Sequence, residues 1–220
     1  MWVKICGIKD LPTAQMVADF EPDAIGLNFY PASPRFLALD TAKSIVLGIP
    51  ESIQIAGVFV NAPLCEIAAV AYQARLDYAQ IHGDEPPEFL AEIHNSLPEV
   101  RLIRAWRMGA DGLGDWAEYH RECRNLGVEL AGCLLDACVE GLYGGSGKTL
   151  AWDVVAKEYD FENWPPLILA GGLNPANIQK AIETAKPWGV DVASGVESAP
   201  GTKDPDRVRE FISRARNSAG

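Results

Sequence analysis

Apolar residues along this chain fall into short runs that alternate, eight times over, with amphipathic segments of helical length. The runs lie at 3–7, 24–29, 53–60, 78–82, 101–106, 132–136, 167–170 and 190–194. Helical patterns follow them at 11–19, 40–47, 64–73, 87–95, 114–126, 151–158, 177–185 and 205–216. Strict alternation of strand and helix calls for a parallel sheet with right-handed crossovers. Eight such units at this spacing predict an α/β fold, a single (β/α)8 TIM barrel with a parallel eight-stranded core. The fifth run carries Arg101, Arg104 and Arg107 across its apolar pattern, and its assignment leans on the count of eight. The competing architecture, an open doubly wound sheet, usually places a GxGxxG turn after its first strand. Cys6-Gly7-Ile8 carries no such turn.

Length and composition narrow this picture. At 220 residues and 48% hydrophobic content the chain suits one large core, so a single domain over 1–220 is expected. A formal charge of −11 repels nucleic acid and anionic membrane surfaces, which are met by basic patches. A small molecule is the natural partner. Cys6, Cys65, Cys123, Cys133 and Cys138 are odd in number and scattered, with no CxxC pair and no zinc-like grouping with the three histidines. That usage fits a reduced, cytoplasmic protein without a metal site. The N-terminus enters a strand at once, and no apolar run reaches the roughly 18–20 residues that cross a bilayer.

The richest chemistry sits at 167–197. Two apolar strands there each run into glycines, as LILAGGLNP and GVDVASGVES, with a helical segment between. Paired glycines such as Gly171 and Gly172 let a backbone approach a ligand closely, and free N–H groups at a following helix start suit an anion. In barrels of this kind the loops after the last two strands often bind phosphate. A phosphorylated small molecule is therefore expected.

The remaining strand ends supply candidates, because barrel active sites lie at the C-terminal face. Cys6 and Lys4 share one strand face, inward if Val3 and Ile5 face the helices. A thiol beside a lysine can act as base or nucleophile, and a structural cysteine is the alternative. Lys4 reads as a cation for the thiolate, a phosphate contact, a Schiff-base amine or a partner in an ion pair. Asp136 ends the apolar run Cys133-Leu134-Leu135, where a carboxylate needs a partner or a purpose. It suits a general acid or a cap on the next turn. Arg35, in Ser33-Pro34-Arg35, can grip a carboxylate with two hydrogen bonds or stand solvated. His82 reads first as a polar core residue, and Asp191 has no direction fixed by pattern. The run Gly144-Gly145-Ser146-Gly147-Lys148-Thr149 has Leu142 where a P-loop needs glycine. That excludes an NTPase and leaves a lid, a second set of amides or a passive turn.

Seven motifs in order resemble one family across nearly the whole chain. They are Lys4-Ile5-Cys6-Gly7, Ser33-Pro34-Arg35, Gly57-Val58-Phe59-Val60-Asn61 and Gln80-Ile81-His82-Gly83, then Asp136 with 144–147, Leu169-Ala170-Gly171-Gly172-Leu173, and 189–191 through Ser194-Gly195-Val196-Glu197. The family is phosphoribosylanthranilate isomerase of tryptophan biosynthesis. The resemblance implies an Amadori rearrangement of N-(5-phosphoribosyl)anthranilate without metal or organic cofactor. By the same resemblance Asp136 is the general acid, Cys6 the base and Arg35 the anthranilate-carboxylate contact. Gly171, Gly172, Ser194 and Gly195 hold the phosphate through backbone amides. The partner is the phosphoribosyl substrate, and the chain works as a monomer or homodimer. Two departures stand out. Leu150-Ala151-Trp152 occupies the place of Phe-Asp-Trp, with Asp153 as the alternative acid, and Asn28 stands where an apolar residue is expected. Within enzymes, the alternatives are an aldolase-type lyase using Lys4 and an isomerase that also accepts an aminoimidazole carboxamide ribonucleotide. A non-catalytic phosphate-binding barrel is the alternative outside them.

Overall fold

The computed structural model describes residues 1–109, 112–137 and 151–218. Eight parallel strands close into a barrel in sequence order. They are β1 (Trp2–Cys6), β2 (Ala24–Asn28), β3 (Gln54–Phe59), β4 (Tyr78–Ile81), β5 (Arg101–Met108), β6 (Leu130–Ala137), β7 (Leu167–Leu169) and β8 (Gly189–Val192). The helices after them are α1 (Leu11–Ala18), α2 (Leu39–Leu47), α3 (Leu64–Gln73), α4 (Pro87–Ser96), α5 (Gly114–Asn125), α6 (Trp152–Glu158), α7 (Ile178–Ala185) and α8 (Pro205–Asn217). The barrel expected from the alternating pattern is thus the observed fold.

Alternation along each strand divides the core in two. Val3, Ile5, Ile25, Leu27, Ile81 and Leu135 pack outward with the helices, while Trp2, Ala24, Ala56, Tyr78, Ile103, Leu134 and Ile168 form a separate cluster. The second set shares one strand face at period two and fills the lower barrel. Higher in the lumen the same face of β1 presents Lys4 and then Cys6. Helix starts follow local chemistry. Asp10 caps α1 by accepting from the Thr13 N–H at 2.8 Å, and Asp204 caps α8 by accepting from Asp206 and Arg207, each helix carrying proline in its first turn. Proline is suited there because its missing N–H would be unpaired in any case.

The arginines of β5 each find a separate use. Arg101 lies over the Tyr78 ring at 4.0 Å. Arg104 turns outward and is buried, donating to the Ile81 and Gly83 carbonyls and pairing with Glu85 at 3.2 Å. Arg107 emerges at the upper end, paired with Asp84. A strand on a barrel can therefore hold three cations when each leaves by a different route. Beyond β8 the chain makes a 3-10 turn, Ser194–Val196, and a small antiparallel hairpin, β9 (Glu197–Ala199) with β10 (Thr202–Lys203). The pattern did not anticipate this hairpin, although Pro200-Gly201 between its strands is a turn signal.

Candidate active site

A cavity of about 210 Å³ opens where the C-terminal strand ends converge. Its lining includes Cys6, Arg35, His82, Asp136, Gly171, Gly172, Ser194 and Gly195. The residues that the resemblance assigned to the site, Cys6, Arg35, Asp136, Gly171, Gly172, Ser194 and Gly195, therefore line one space, whereas Lys4 does not. The glycine-rich run at 144–149 lies outside the described residues.

Cys6 ends β1 and is 8% exposed. Burial pushes its thiol up, and the nearby Lys4 cation pulls in the opposite direction without prevailing. The neighbouring lysine alone suggested an easily ionised sulfur, but desolvation of the thiolate is the larger effect. Lys4 itself is fully buried and is absent from the cavity lining. Its Nζ lies 2.9 Å from Asp191 Oδ1 and donates to Gln80 Oε1 at 2.8 Å. Burial favours its neutral amine, yet the carboxylate of Asp191 and the sulfur of Cys6 outweigh that and raise its pKa. A lysine held charged beneath the cavity is a poor Schiff-base nucleophile, which removes the main support for a lyase. The direction of Asp191 is settled too: it points into the lumen as the partner of Lys4.

Asp136 is the penultimate residue of β6 and is 5% exposed. His82 Nε2 stands 3.7 Å from its Oδ2, beyond hydrogen-bond range. The other ring nitrogen, Nδ1, is 3.1 Å from Gln80 Nε2. Asn28 ends β2 on the cavity wall, and its Oδ1 accepts from the Tyr30 N–H at 2.9 Å. An amide rather than an apolar side chain fits here because the residue starts the turn toward Ser33-Pro34-Arg35. Asp153, by contrast, is exposed in the first turn of α6 and absent from the cavity lining.

Sequence reasoning gave no role to the group that orients Arg35. Glu197 accepts from Arg35 Nε at 2.8 Å and from Nη2 at 2.7 Å. Its Oε1 also accepts from Lys203 Nζ at 2.9 Å, and its Oε2 from the Gly201 N–H at 3.1 Å. Burial pushes the Glu197 carboxyl up, but the bonds from Arg35 and Lys203 hold it down at about 2. Burial likewise depresses the Lys203 ammonium, against the pull of Glu197. The hairpin β9–β10 thus exists at the site to bring Glu197 and Lys203 under Arg35. The available signal was Glu197 and Lys203 flanking a Pro-Gly turn.

Elsewhere on the cavity edge, Gly171 and Gly172 take φ of 76° and 65°, the left-handed region that glycine enters without strain. The Gly172 carbonyl accepts from Asn177 Nδ2 at 3.0 Å and Asn174 Nδ2 at 3.3 Å. These asparagines, also unassigned from sequence, tie the loop to the start of α7. Gly195 passes so close to the Leu173 carbonyl that a Cβ would collide with it. The two loops are therefore in direct backbone contact and form one continuous cavity edge.

Comparison with known proteins places this geometry in context. The family model described as N-(5'phosphoribosyl)anthranilate (PRA) isomerase matches residues 3–214. N-(5'-phosphoribosyl)anthranilate isomerase of Geobacter metallireducens is 43% identical over 214 residues, covering 97% of this chain and 98% of the relative. A solved phosphoribosyl anthranilate isomerase in complex with reduced 1-(o-carboxyphenylamino)-1-deoxyribulose 5-phosphate superposes with a TM-score of 0.82 at 33% identity, covering 98% of each chain. Mutually generated monomers of the dimeric Thermotoga maritima enzyme give 0.81 at 32% identity, again covering 98% of each. Among the described residues no helix is long and apolar enough to cross a membrane. With its strand-end residues gathered at one cavity and relatives matched along almost its entire length, this chain belongs to the N-(5'-phosphoribosyl)anthranilate isomerase family.

Proposed function

We propose that this isomerase of tryptophan biosynthesis works through an acid, Asp136, and a base, Cys6, set apart on one cavity. The reaction is the Amadori rearrangement of N-(5-phosphoribosyl)anthranilate to 1-(2-carboxyphenylamino)-1-deoxyribulose 5-phosphate. Asp136 gives its proton to the furanose ring oxygen as the bond from that oxygen to C1 breaks, leaving a protonated Schiff base. The Cys6 thiolate then takes the proton from C2, and the electron pair moves to neutralise the iminium as an enolamine. Tautomerisation of the enolamine gives the ketone, so no atoms are gained or lost. The observation that carries this reading is the placement of Cys6 and Asp136 on one cavity wall, three strands apart around the ring.

The substrate's two anionic ends suit two separate sets of donors on the cavity edge. Backbone amides of Gly171, Gly172, Ser194 and Gly195 take the phosphate. Arg35 takes the anthranilate carboxylate through the Nη1 edge of its guanidinium, because Nε and Nη2 are committed to Glu197. No metal or organic cofactor enters these steps. Residues 1–220 act as one cytoplasmic domain. The dimeric Thermotoga maritima relative makes a homodimer the state to test first against a monomer.

The test is the loss of anthranilate-ribosyl fluorescence when purified protein meets freshly generated substrate, with Cys6→Ser alongside. Rapid loss in the wild type and little in the variant supports the reaction and its base. Equal rates in both overturn the role of Cys6, and no loss above the substrate's own decay overturns the activity.

A further inference from the structure

Between the base and the acid runs a line of buried polar groups that the reaction scheme does not use. Lys4, Gln80 and His82 are respectively 0%, 1% and 8% exposed. Lys4 Nζ meets Gln80 Oε1 at 2.8 Å, and Gln80 Nε2 meets His82 Nδ1 at 3.1 Å. His82 Nε2 is buried without a hydrogen-bond partner, with Asp136 Oδ2 at 3.7 Å.

We infer that Lys4, acting through Gln80, fixes the tautomer of His82 so that the neutral ring carries its proton on Nε2, aimed at Asp136. An ammonium has three donors and no acceptor, so the oxygen end of the Gln80 amide must face Lys4. Reversing the amide would set its NH2 against the ammonium in a site closed to water, leaving donors facing each other without an acceptor. Asp191 at 2.9 Å from Lys4 Nζ keeps that cation in place. The amide's other end is therefore a donor, and a hydrogen bond to His82 Nδ1 requires the lone pair there. The proton of the neutral imidazole is left on Nε2.

The direction of the line matters for chemistry. Each link donates toward Asp136, from ammonium to carbonyl, from amide to Nδ1, and from Nε2–H toward the carboxyl. Resting on the reading of Asp136 as the acid, His82 is a positioning residue. It offers a donor to the carboxylate that forms when Asp136 releases its proton, and it has no lone pair on that side to intercept the proton. The 3.7 Å separation closes to a hydrogen bond once the carboxylate is charged.

The tautomer is read without substrate. In full-length protein labelled with 15N-histidine, long-range 1H–15N correlations at alkaline pH show which ring nitrogen bears the proton, and His82→Gln identifies the resonance among the three histidines. The wild type is expected to be Nε2–H. In Gln80→Glu the carboxylate accepts from both Lys4 and the ring, so the proton moves to Nδ1. In Gln80→Met the bias is lost. Gln80→Glu is also expected to lower kcat by about tenfold with KM nearly unchanged, the kinetic equivalent of one hydrogen bond to a charged group. An Nδ1–H ring in the wild type, or Nε2–H retained in Gln80→Glu, overturns the assignment. A flipped tautomer with unchanged kcat overturns the positioning role. Full turnover in Asp136→Asn would instead overturn the acid, leaving the tautomer result intact.

Discussion

Two buried ionic groups lie near the cavity, and they are built on opposite principles. In the lumen, one lysine meets one aspartate, Lys4 with Asp191, with Gln80 taking a further donor. At the rim, one carboxylate, Glu197, is shared by two cations, Arg35 and Lys203. The lumen pair is balanced in charge, whereas the rim cluster keeps one positive charge in excess. That excess stands in a chain of net charge −11, where the overall field does not favour anions. A local surplus of positive charge beside backbone amides lets an acidic protein attract an anionic molecule. The balanced pair has no such surplus to offer, and its work is to hold shape and direct hydrogen bonds.

Breaking the lumen pair should have the largest effect on folding. Lys4→Met leaves Asp191 buried and uncompensated, an error of about 3–5 kcal/mol, to be measured as a fall in the urea midpoint with an unchanged slope. Lys4→Met combined with Asp191→Leu should recover most of that loss, since removing both charges removes the imbalance. If the double variant is as unstable as the single one, the pair's packing rather than its charge is what matters. Next come the proposed base and acid. Cys6→Ser and Asp136→Asn are each expected to lower kcat by roughly 10²-fold or more, with urea midpoints near that of the wild type. Because burial raises the Cys6 thiol, its alkylation by iodoacetamide should accelerate with pH only above the ordinary thiol range, as the thiolate forms. Alkylation already at its plateau at neutral pH would mean that the Lys4 cation, not burial, sets the thiol.

The rim cluster should respond in affinity. Arg35→Ala is expected to raise KM about tenfold, the value of one charge-assisted hydrogen bond, with kcat less affected. An unchanged KM would count against the carboxylate contact. The smallest effect is acid sensitivity. Glu197 sits at about 2 in the fold against an ordinary value of 4.5. A depressed carboxyl contributes stability that is present above the unfolded value and lost as pH falls through the folded one. The stability gap between wild type and Glu197→Gln should therefore narrow from about pH 4.5 down to about pH 2. Urea midpoints across that window would show it, and a gap independent of pH would remove Glu197 as the source.

The same contrast explains what could be read in advance. Cys6, Asp136 and the glycines at 171 and 172 were legible because a barrel places whatever ends its strands on one face. Glu197 and Lys203 were not, because strands of three and two residues are too short to show a period. Asn174 and Asn177 act through turn geometry that hydrophobic patterning does not register, although Asn at such spacing is itself a turn signal. Arg101, Arg104 and Arg107 obscured β5 for a different reason. Charge reads as exposure in one dimension, while the fold gives each guanidinium its own ring, carboxylate or carbonyl.

By itself, the sequence determined the eightfold alternation, and with it the barrel and the face on which chemistry gathers. These follow from local rules of side-chain direction and crossover handedness that act the same wherever they occur. Only the tertiary structure decided which charges meet: that Lys4 faces Asp191 and Gln80, that Glu197 reaches back to Arg35, and that burial outweighs the lysine at the Cys6 thiol. Those outcomes depend on distances between residues as many as 187 positions apart, as with Lys4 and Asp191 (191 − 4), and on exclusion of water at their meeting point. Neither quantity exists until the barrel closes.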